Sequence, residues 1–188
     1  IRAFNEIAPE VTFEIYVEPL NEIEKGVMDG RFQLGIIPMH RASPSLDYLP
    51  LFDESVSLYC GRHHGMFNQS DMAITDAQIL SAKYAGLGYH SPNMKTSNEL
   101  QMSRHSTGYD QEAIAALILS GRYLGYLPDH YAAPMLAEGR IGIVGEGRFR
   151  YDCEFSTIVR HAPKPSHVVQ TFIDCLEATH KKVGGGYR

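Results

Sequence analysis

The chain has 188 residues, of which 44% are hydrophobic, and its 17 basic and 22 acidic residues give a net charge of −5. This composition predicts a packed core and excludes wholesale disorder, and the acidic balance disfavours a surface that grips nucleic-acid phosphates. No apolar run is long enough to cross a membrane, and the opening residues carry no signal-peptide pattern. Three widely spaced cysteines, Cys60, Cys153 and Cys175, argue against a disulfide framework and favour a reducing cytoplasm.

The first part of the chain predicts a strand, a helix and a second strand. Residues 11–18 alternate between apolar and polar side chains, which is the period of a strand with one buried face. Residues 20–28 place their apolar side chains on one helical stripe, and Gly30 ends that helix. Residues 32–38 form a short apolar run that is typical of a strand covered on both faces. This order predicts a right-handed parallel crossover.

The rest of the chain continues to alternate strands and helices. Strands are predicted at residues 55–60, 83–87, 122–128 and 155–159, and helices at 75–80, 98–105, 111–120 and 129–137 and after Ser166. Asp110 is the expected N-cap of the helix over 111–120, and Gly121 is its expected stop. The segment 104–109 looks too short to finish a helix and supply a strand as well. The alternation predicts an α/β fold with parallel sheets.

Motifs of catalysis are missing from this sequence. It contains no Gly-x-Ser-x-Gly elbow, no phosphate-binding Walker loop and no dinucleotide-binding glycine pattern, so we expect neither an enzyme nor a cofactor. His63 and His64 are adjacent, so their side chains point apart, which favours a surface turn over a metal site. Asp53 and Glu54 could share a proton in a site, but they are expected to form a solvated strand end.

Polar and aromatic residues at the ends of the predicted strands are more informative. Ligands of parallel α/β sheets bind beyond the carboxyl ends of the strands, where loops and helix N-termini gather. Hydroxyls and free amides there suit a carboxylate or another polar group, and tyrosine rings suit an aromatic or apolar body. The predicted ligand-binding residues are Pro38, Met39, Gly88, His90, Ser91, Tyr109, Asp110, Tyr126 and Leu127. A small effector, such as an organic acid or an aromatic compound, is the expected partner.

The order of these segments resembles the effector-binding domain of bacterial LysR-type transcription regulators. At the start, Phe4, Pro9, Leu20, Gly30 and residues 34–37 fill the places of that family's helix, strand, helix and short strand. Gln33 departs from the acid that the family usually carries there. Further on, residues 51–54, residues 114–128 with Gly121, Gly125 and Leu127-Pro128, and residues 136–140 follow the family's pattern. The resemblance covers nearly the whole chain.

The resemblance implies a two-lobed α/β fold like that of type 2 periplasmic binding proteins. Its mixed, mostly parallel sheets would be joined by two crossing strands, with an effector in the cleft between the lobes. Lobe I is expected at residues 1–84 plus 155–188 and lobe II at 85–154. The family's first strand and the beginning of its first helix would precede Ile1, and DNA would be contacted only by a further N-terminal domain. A homo-oligomer is also implied, with Val27 as an interface candidate. The alternative is a free-standing solute-binding protein of a transporter with the same fold.

Overall fold

The computed structural model of the chain describes residues 1–69, 73–88, 102–145 and 148–183. The chain divides into two compact units, Ile1–Asp53 with Glu154–Arg188, and Glu54–Cys153. The second boundary lies one residue from the predicted 154/155. The first boundary differs from the predicted 84/85, because residues 56–61 pair with strands of the second unit.

Among the described residues, the first unit combines three helices with segments of three strands. Its elements are α1 (Arg2–Ile7), α2 (Leu20–Met28), β1 (Gly35–Pro38), the beginning of β2 (Leu46–Gly61), the end of β7 (Arg150–Arg160) and α6 (His167–Val183). β1 pairs antiparallel with β7, with Ile37 opposite Ser156. Val27 on α2 is fully buried within this unit, so its predicted role at a subunit interface is wrong.

Residues 11–19 form no helix or strand. Phe13 packs edge-on against Phe4 with ring centroids 5.4 Å apart, whereas Ile15 is 72% exposed and Val17 is 80% exposed. A strand exists only where a neighbouring strand pairs with it, and no described strand does so here. The prediction of a strand over 11–18, and of the parallel crossover that depends on it, is therefore wrong.

The second unit is built around a mixed sheet. Its elements are the remainder of β2, α3 (Asp76–Ser81), β3 (Tyr84–Leu87), β4 (Arg104–Gly108), α4 (Gln111–Leu119), β5 (Leu124–Pro128), α5 (Asp129–Ala137), β6 (Ile141–Ile143) and the beginning of β7. β3 lies between β4 and β5 and is parallel to both, whereas β5 and β6 each pair antiparallel with β2. These ladders confirm the predicted α/β fold with a mixed sheet. They also show that residues 104–108 supply a complete strand.

One face of this sheet packs against α4 and forms the core of the second unit. Ala85, Leu87 and Leu127 from the strands cluster there with Ile114 and Ile118 from the helix. The helix begins where predicted, with the carboxylate of Asp110 as its cap, and Gly121 follows its end with φ of 73°. No helix in the described ranges is long and apolar enough to cross a membrane.

Candidate functional site

The carboxyl ends of β3 and β4 bring three of the predicted ligand residues together. The backbone N–H of Gly88 donates a 2.8 Å hydrogen bond to the carbonyl of Gly108, which extends the parallel pair by one residue. A Cβ on Gly88 would lie 2.5 Å from the ring of Tyr109, so the ring covers this backbone closely. Tyr109 itself is 64% exposed, and its ring is therefore open to a molecule in solution.

Asp110 stands next to this pair, at the start of α4. Its Oδ1 accepts a 2.7 Å hydrogen bond from the backbone N–H of Ala113. The neighbouring Gln111 has a buried side-chain oxygen without a hydrogen-bond partner in the described part of the chain. Sequence reasoning missed Gln111, because an amide in the first turn of a helix is an ordinary solvated residue. The carboxyl end of β4 therefore places three groups close together along the chain. They are the exposed ring of Tyr109, the backbone amides at the start of α4 and the side-chain oxygen of Gln111, which has no described partner.

Tyr126 and Leu127 are neighbours on β5 but face opposite sides of the sheet. Leu127 is fully buried in the core beneath α4, so its side chain cannot meet a ligand. Tyr126 is 5% exposed, and its hydroxyl lacks a hydrogen-bond partner among the described residues. Its ring lies 6.2 Å from that of Tyr84 and 5.4 Å from that of Tyr151. Burial, and secondarily Tyr84, raises the pKa of Tyr126, so its hydroxyl stays protonated.

Pro38 and Met39 belong to the first unit, at the end of β1. Pro38 pairs with Phe155, and the backbone N–H of Met39 donates a 2.7 Å hydrogen bond to the carbonyl of Glu154. The side chain of the following residue, His40, is 8% exposed, and its Nε2 lies 3.5 Å from Oε2 of Glu24. His90 and Ser91, the remaining predicted ligand residues, lie outside the described residues.

A polar network surrounds the start of α5. The hydroxyl of Tyr59 donates a 2.9 Å hydrogen bond to Oδ1 of Asp129, and burial raises the pKa of Tyr59. Arg150 lies 3.8 Å from the other carboxylate oxygen of Asp129 and donates to the hydroxyl of Ser55 at 2.6 Å. That hydroxyl in turn donates to Asp152 at 2.6 Å. The network ties β2 and β7 to the helix terminus.

The expectation that Asp53 and Glu54 form a solvated strand end is wrong for Glu54. Its side chain is 10% exposed and its Oε1 lies 3.2 Å from Nδ1 of His130, so it is not part of a solvated strand end. Burial raises the pKa of Glu54, an effect that His130 opposes and Asp129 reinforces. The sequence missed this because β2 continues through residues 53–55 into the second unit, which buries one of the two adjacent acids.

The histidine pair and the cysteines show no arrangement for metal or thiol chemistry. Nδ1 of His64 accepts a 3.2 Å hydrogen bond from the backbone N–H of Met66, and burial lowers the pKa of this histidine. Within the described ranges, no three His, Cys, Asp or Glu side chains are grouped to hold a metal ion. Cys60 is buried, and burial raises the pKa of its thiol to about 11, which disfavours a thiolate.

A protein family and a curated protein match this chain in sequence. A family model described as the LysR substrate binding domain matches residues 1–181. Among curated proteins, the HTH-type transcriptional activator BauR of Pseudomonas aeruginosa is 33% identical over 168 residues, which covers 89% of this chain and 55% of BauR. The chain therefore spans about half the length of this curated relative.

Solved structures of low sequence identity share the fold. The effector binding domain of QuiR, in complex with shikimate, matches with a TM-score of 0.80 and 15% identity, over 96% of this chain and 88% of that one. The regulatory domain of CcmR from Synechocystis PCC6803, in complex with 2-PG, matches with a TM-score of 0.72 and 18% identity, over 96% and 88% of the two chains.

Proposed function

The chain belongs to the family of LysR substrate binding domains, and from this premise we propose that it is the effector-binding regulatory domain of a bacterial LysR-type transcription regulator. The domain binds a small molecule, and its occupancy modulates DNA binding and transcription by the full-length protein. The match of the family model over residues 1–181 carries this proposal. DNA is contacted by a segment outside these 188 residues, in keeping with the net charge of −5 and with the helix-turn-helix in the description of BauR.

The proposed ligand residues are those predicted from the sequence. Gly88, Tyr109 and Asp110 are supported by their convergence at the carboxyl ends of β3 and β4, beside the N-terminus of α4. Tyr126 is supported by its unused hydroxyl, and Leu127 can contribute through its backbone alone. Pro38 and Met39 are supported by their place at the end of β1, and His90 and Ser91 by their position in the sequence, two and three residues after Gly88.

Regulation requires that the effector bind one conformation of the protein more tightly than another. A ligand with equal affinity for two conformations shifts no equilibrium, whereas a 100-fold preference shifts one by roughly 3 kcal/mol. We propose that the effector sets the arrangement of a cytoplasmic homo-oligomer and thereby of its DNA-reading segments. The domain acts by binding and not by catalysis. The alternative of a transporter's solute-binding protein is supported by none of the relatives described above.

Thermal unfolding of the full-length protein tests the sensing role. The protein is heated with a panel of aromatic and aliphatic acids, amino acids and sugars, because a ligand that binds only the folded state raises the unfolding midpoint. The active compound is then added to the protein bound to a DNA fragment selected from a random pool. We expect a saturable rise of the midpoint for one chemical class and a changed affinity for the DNA fragment. A ligand that raises the midpoint without any effect on DNA binding would contradict the regulatory role.

Alanine substitutions test the ligand residues. Ser91→Ala and Tyr126→Ala should weaken binding of the active compound, whereas Ser81→Ala, at the exposed end of α3, should leave its affinity unchanged. If both of the first two variants bind the compound like the natural protein, the proposed set of ligand residues is wrong.

A further inference from the structure

The hydroxyl of Tyr126 is a buried polar group with unused hydrogen-bonding capacity. The residue is 5% exposed, and no described residue accepts from or donates to its oxygen. A buried hydroxyl without a partner is costly to a folded protein, and most such groups are satisfied by protein, water or ligand. Burial raises the pKa of Tyr126, so this group is a hydrogen-bond donor throughout the physiological range.

Two aromatic rings pack against the ring of Tyr126 on one face of the sheet. The rings of Tyr84 and Tyr151 lie 6.2 Å and 5.4 Å from that of Tyr126, and we call these three residues the tyrosine cluster. The cluster lies on the face opposite α4, because Gly125 and Leu127, the neighbours of Tyr126 along β5, face that helix. Tyr84 and Tyr126 are buried, whereas Tyr151 is partly exposed, so the ring of Tyr151 suits a flat or apolar part of a ligand.

A cation reaches the same face from β4. β3 and β5 pair with Ala85 opposite Gly125, so Gly86 is the next residue along, beside Tyr126. A Cβ on Gly86 would lie 2.9 Å from Nε of Arg104 and 3.0 Å from the ring of Tyr84. The missing side chain thus leaves room for the arginine to lie across β3. Arg104 is exposed, and no described carboxylate forms an ion pair with it.

We propose that Tyr126 and Arg104 together bind an anionic group of the effector, a carboxylate or a phosphate, while the tyrosine cluster packs its flat or apolar part. This inference rests on the proposed function. It pairs Tyr126, already among the proposed ligand residues, with Arg104 at the amino end of β4, as the two groups that set ligand specificity. The arginine supplies charge and paired N–H donors, and the tyrosine adds a directional donor from a buried position. The two groups together select an acid over the neutral compound of the same shape.

The first test compares hydroxyl deletions in the ligand-free protein. Tyr126→Phe removes a hydroxyl without a partner, so the midpoint of urea unfolding of the full-length protein should stay unchanged or rise. Tyr59→Phe is the matched control, because it removes the hydroxyl that donates to Asp129 and should lower the midpoint. If Tyr126→Phe lowers the midpoint as much as Tyr59→Phe does, the hydroxyl already has a structural role and the proposal fails.

The second test measures ligand selectivity. Benzoate, salicylate, succinate and phosphoglycolate are each compared with a neutral counterpart, such as benzamide, by thermal unfolding and then by titration calorimetry. We expect an acid to bind and its counterpart to bind far more weakly. Tyr126→Phe and Arg104→Gln should each lower the affinity of the protein for the acid about tenfold or more. Arg122→Gln, which removes an exposed cation elsewhere in this unit, should leave its affinity unchanged.

The outcomes separate this inference from the proposed function. An acid that binds the natural protein and Tyr126→Phe equally well overturns the inference and leaves the sensing role intact. Binding of only neutral or cationic compounds from the wider panel also overturns it. If no compound of either panel alters the unfolding midpoint, both the proposed function and this inference lose their support.

Discussion

The carboxylate of Asp110 accepts a 2.7 Å hydrogen bond from the backbone N–H of Ala113, three residues further along α4. A helix leaves its first amides without partners inside the helix, and an N-cap side chain satisfies one of them. Asp110 is thus engaged by its own helix in the ligand-free protein. Any contact that it makes with an effector must share or replace this bond.

Substitution of Asp110 separates the two roles. Asp110→Ala should lower the free energy of unfolding by about 1 kcal/mol, within the range of 0.5–2 kcal/mol that is typical of lost caps. Asp110→Asn should retain most of that stability, since an amide oxygen also caps. Urea unfolding gives the measurement, and Thr75→Ala, which removes the capping box of α3, is a matched comparison. An unchanged stability in Asp110→Ala would contradict the capping role.

Leu127 should behave as a core residue. It is fully buried and clusters with Ile114 and Ile118, so Leu127→Ala should lower the free energy of unfolding by about 2–5 kcal/mol through lost burial and the cavity that remains. Leu136→Ala, at a position that is 38% exposed on α5, should change it by less than about 0.5 kcal/mol. A loss of effector affinity without loss of stability in Leu127→Ala would show that its side chain binds the ligand.

Local signals in the sequence predicted much of this fold. The cap at Asp110 and the stop at Gly121 depend on residues within one helical turn, and both are confirmed. The predicted fold class is confirmed by the mixed sheet, and the resemblance to LysR-type regulators is confirmed by the family model over residues 1–181. The cap and the stop could be predicted because backbone geometry near a cap or a glycine is set by neighbours in sequence.

Features that depend on distant partners were not predictable in the same way. Residues 11–18 have the alternation of a strand, yet a strand forms only when another segment pairs with it, which the alternation does not report. The approach of Arg104 to Gly86 depends on the register of β3 and β4, and the burial of Glu54 depends on β2 continuing into the second unit. A contact between residues 18 or more positions apart leaves no local pattern in a single sequence from which it could be predicted.

Two glycines in the second unit should respond differently to alanine. A Cβ on Gly61 would collide with the backbone carbonyl of Ile118, which cannot move without shifting α4. Gly61→Ala should therefore lower the free energy of unfolding by about 1–3 kcal/mol. A Cβ on Gly88 meets side chains and no backbone among its nearest neighbours: the ring of the exposed Tyr109, which can rotate away, and Cγ2 of Thr107 at 3.1 Å.

Gly88→Ala should consequently lower the free energy of unfolding by less than about 1 kcal/mol. It should still weaken binding of the effector, because it displaces the ring of Tyr109 from the proposed site. Urea unfolding and calorimetry with the active compound give both quantities. Equal loss of stability in the two variants would mean that the ring of Tyr109 cannot rotate away. If Gly88→Ala bound the active compound with unchanged affinity, Gly88 and Tyr109 would not belong to the ligand site.

Glu54 should make the stability of the protein depend on pH. Burial raises its pKa above the ordinary value of 4.5, so the folded state favours the protonated carboxyl more than the unfolded chain does. The stability that this proton contributes is fully present below pH 4.5 and is lost as the pH rises through the raised pKa. Glu54→Gln keeps a neutral side chain of the same shape, so the variant should gain stability relative to the natural protein as the pH rises.

The measurement is urea unfolding of both proteins between about pH 4 and pH 8, and the difference in free energy cancels the groups that they share. Glu138→Gln is the matched control, because its exposed carboxylate pairs only with exposed Arg140 among the described residues. If the ion pair with His130 dominated instead, the natural protein would gain stability relative to Glu54→Gln as Glu54 ionises. A difference that moves in that direction would show that the His130 contact outweighs the burial of the carboxylate.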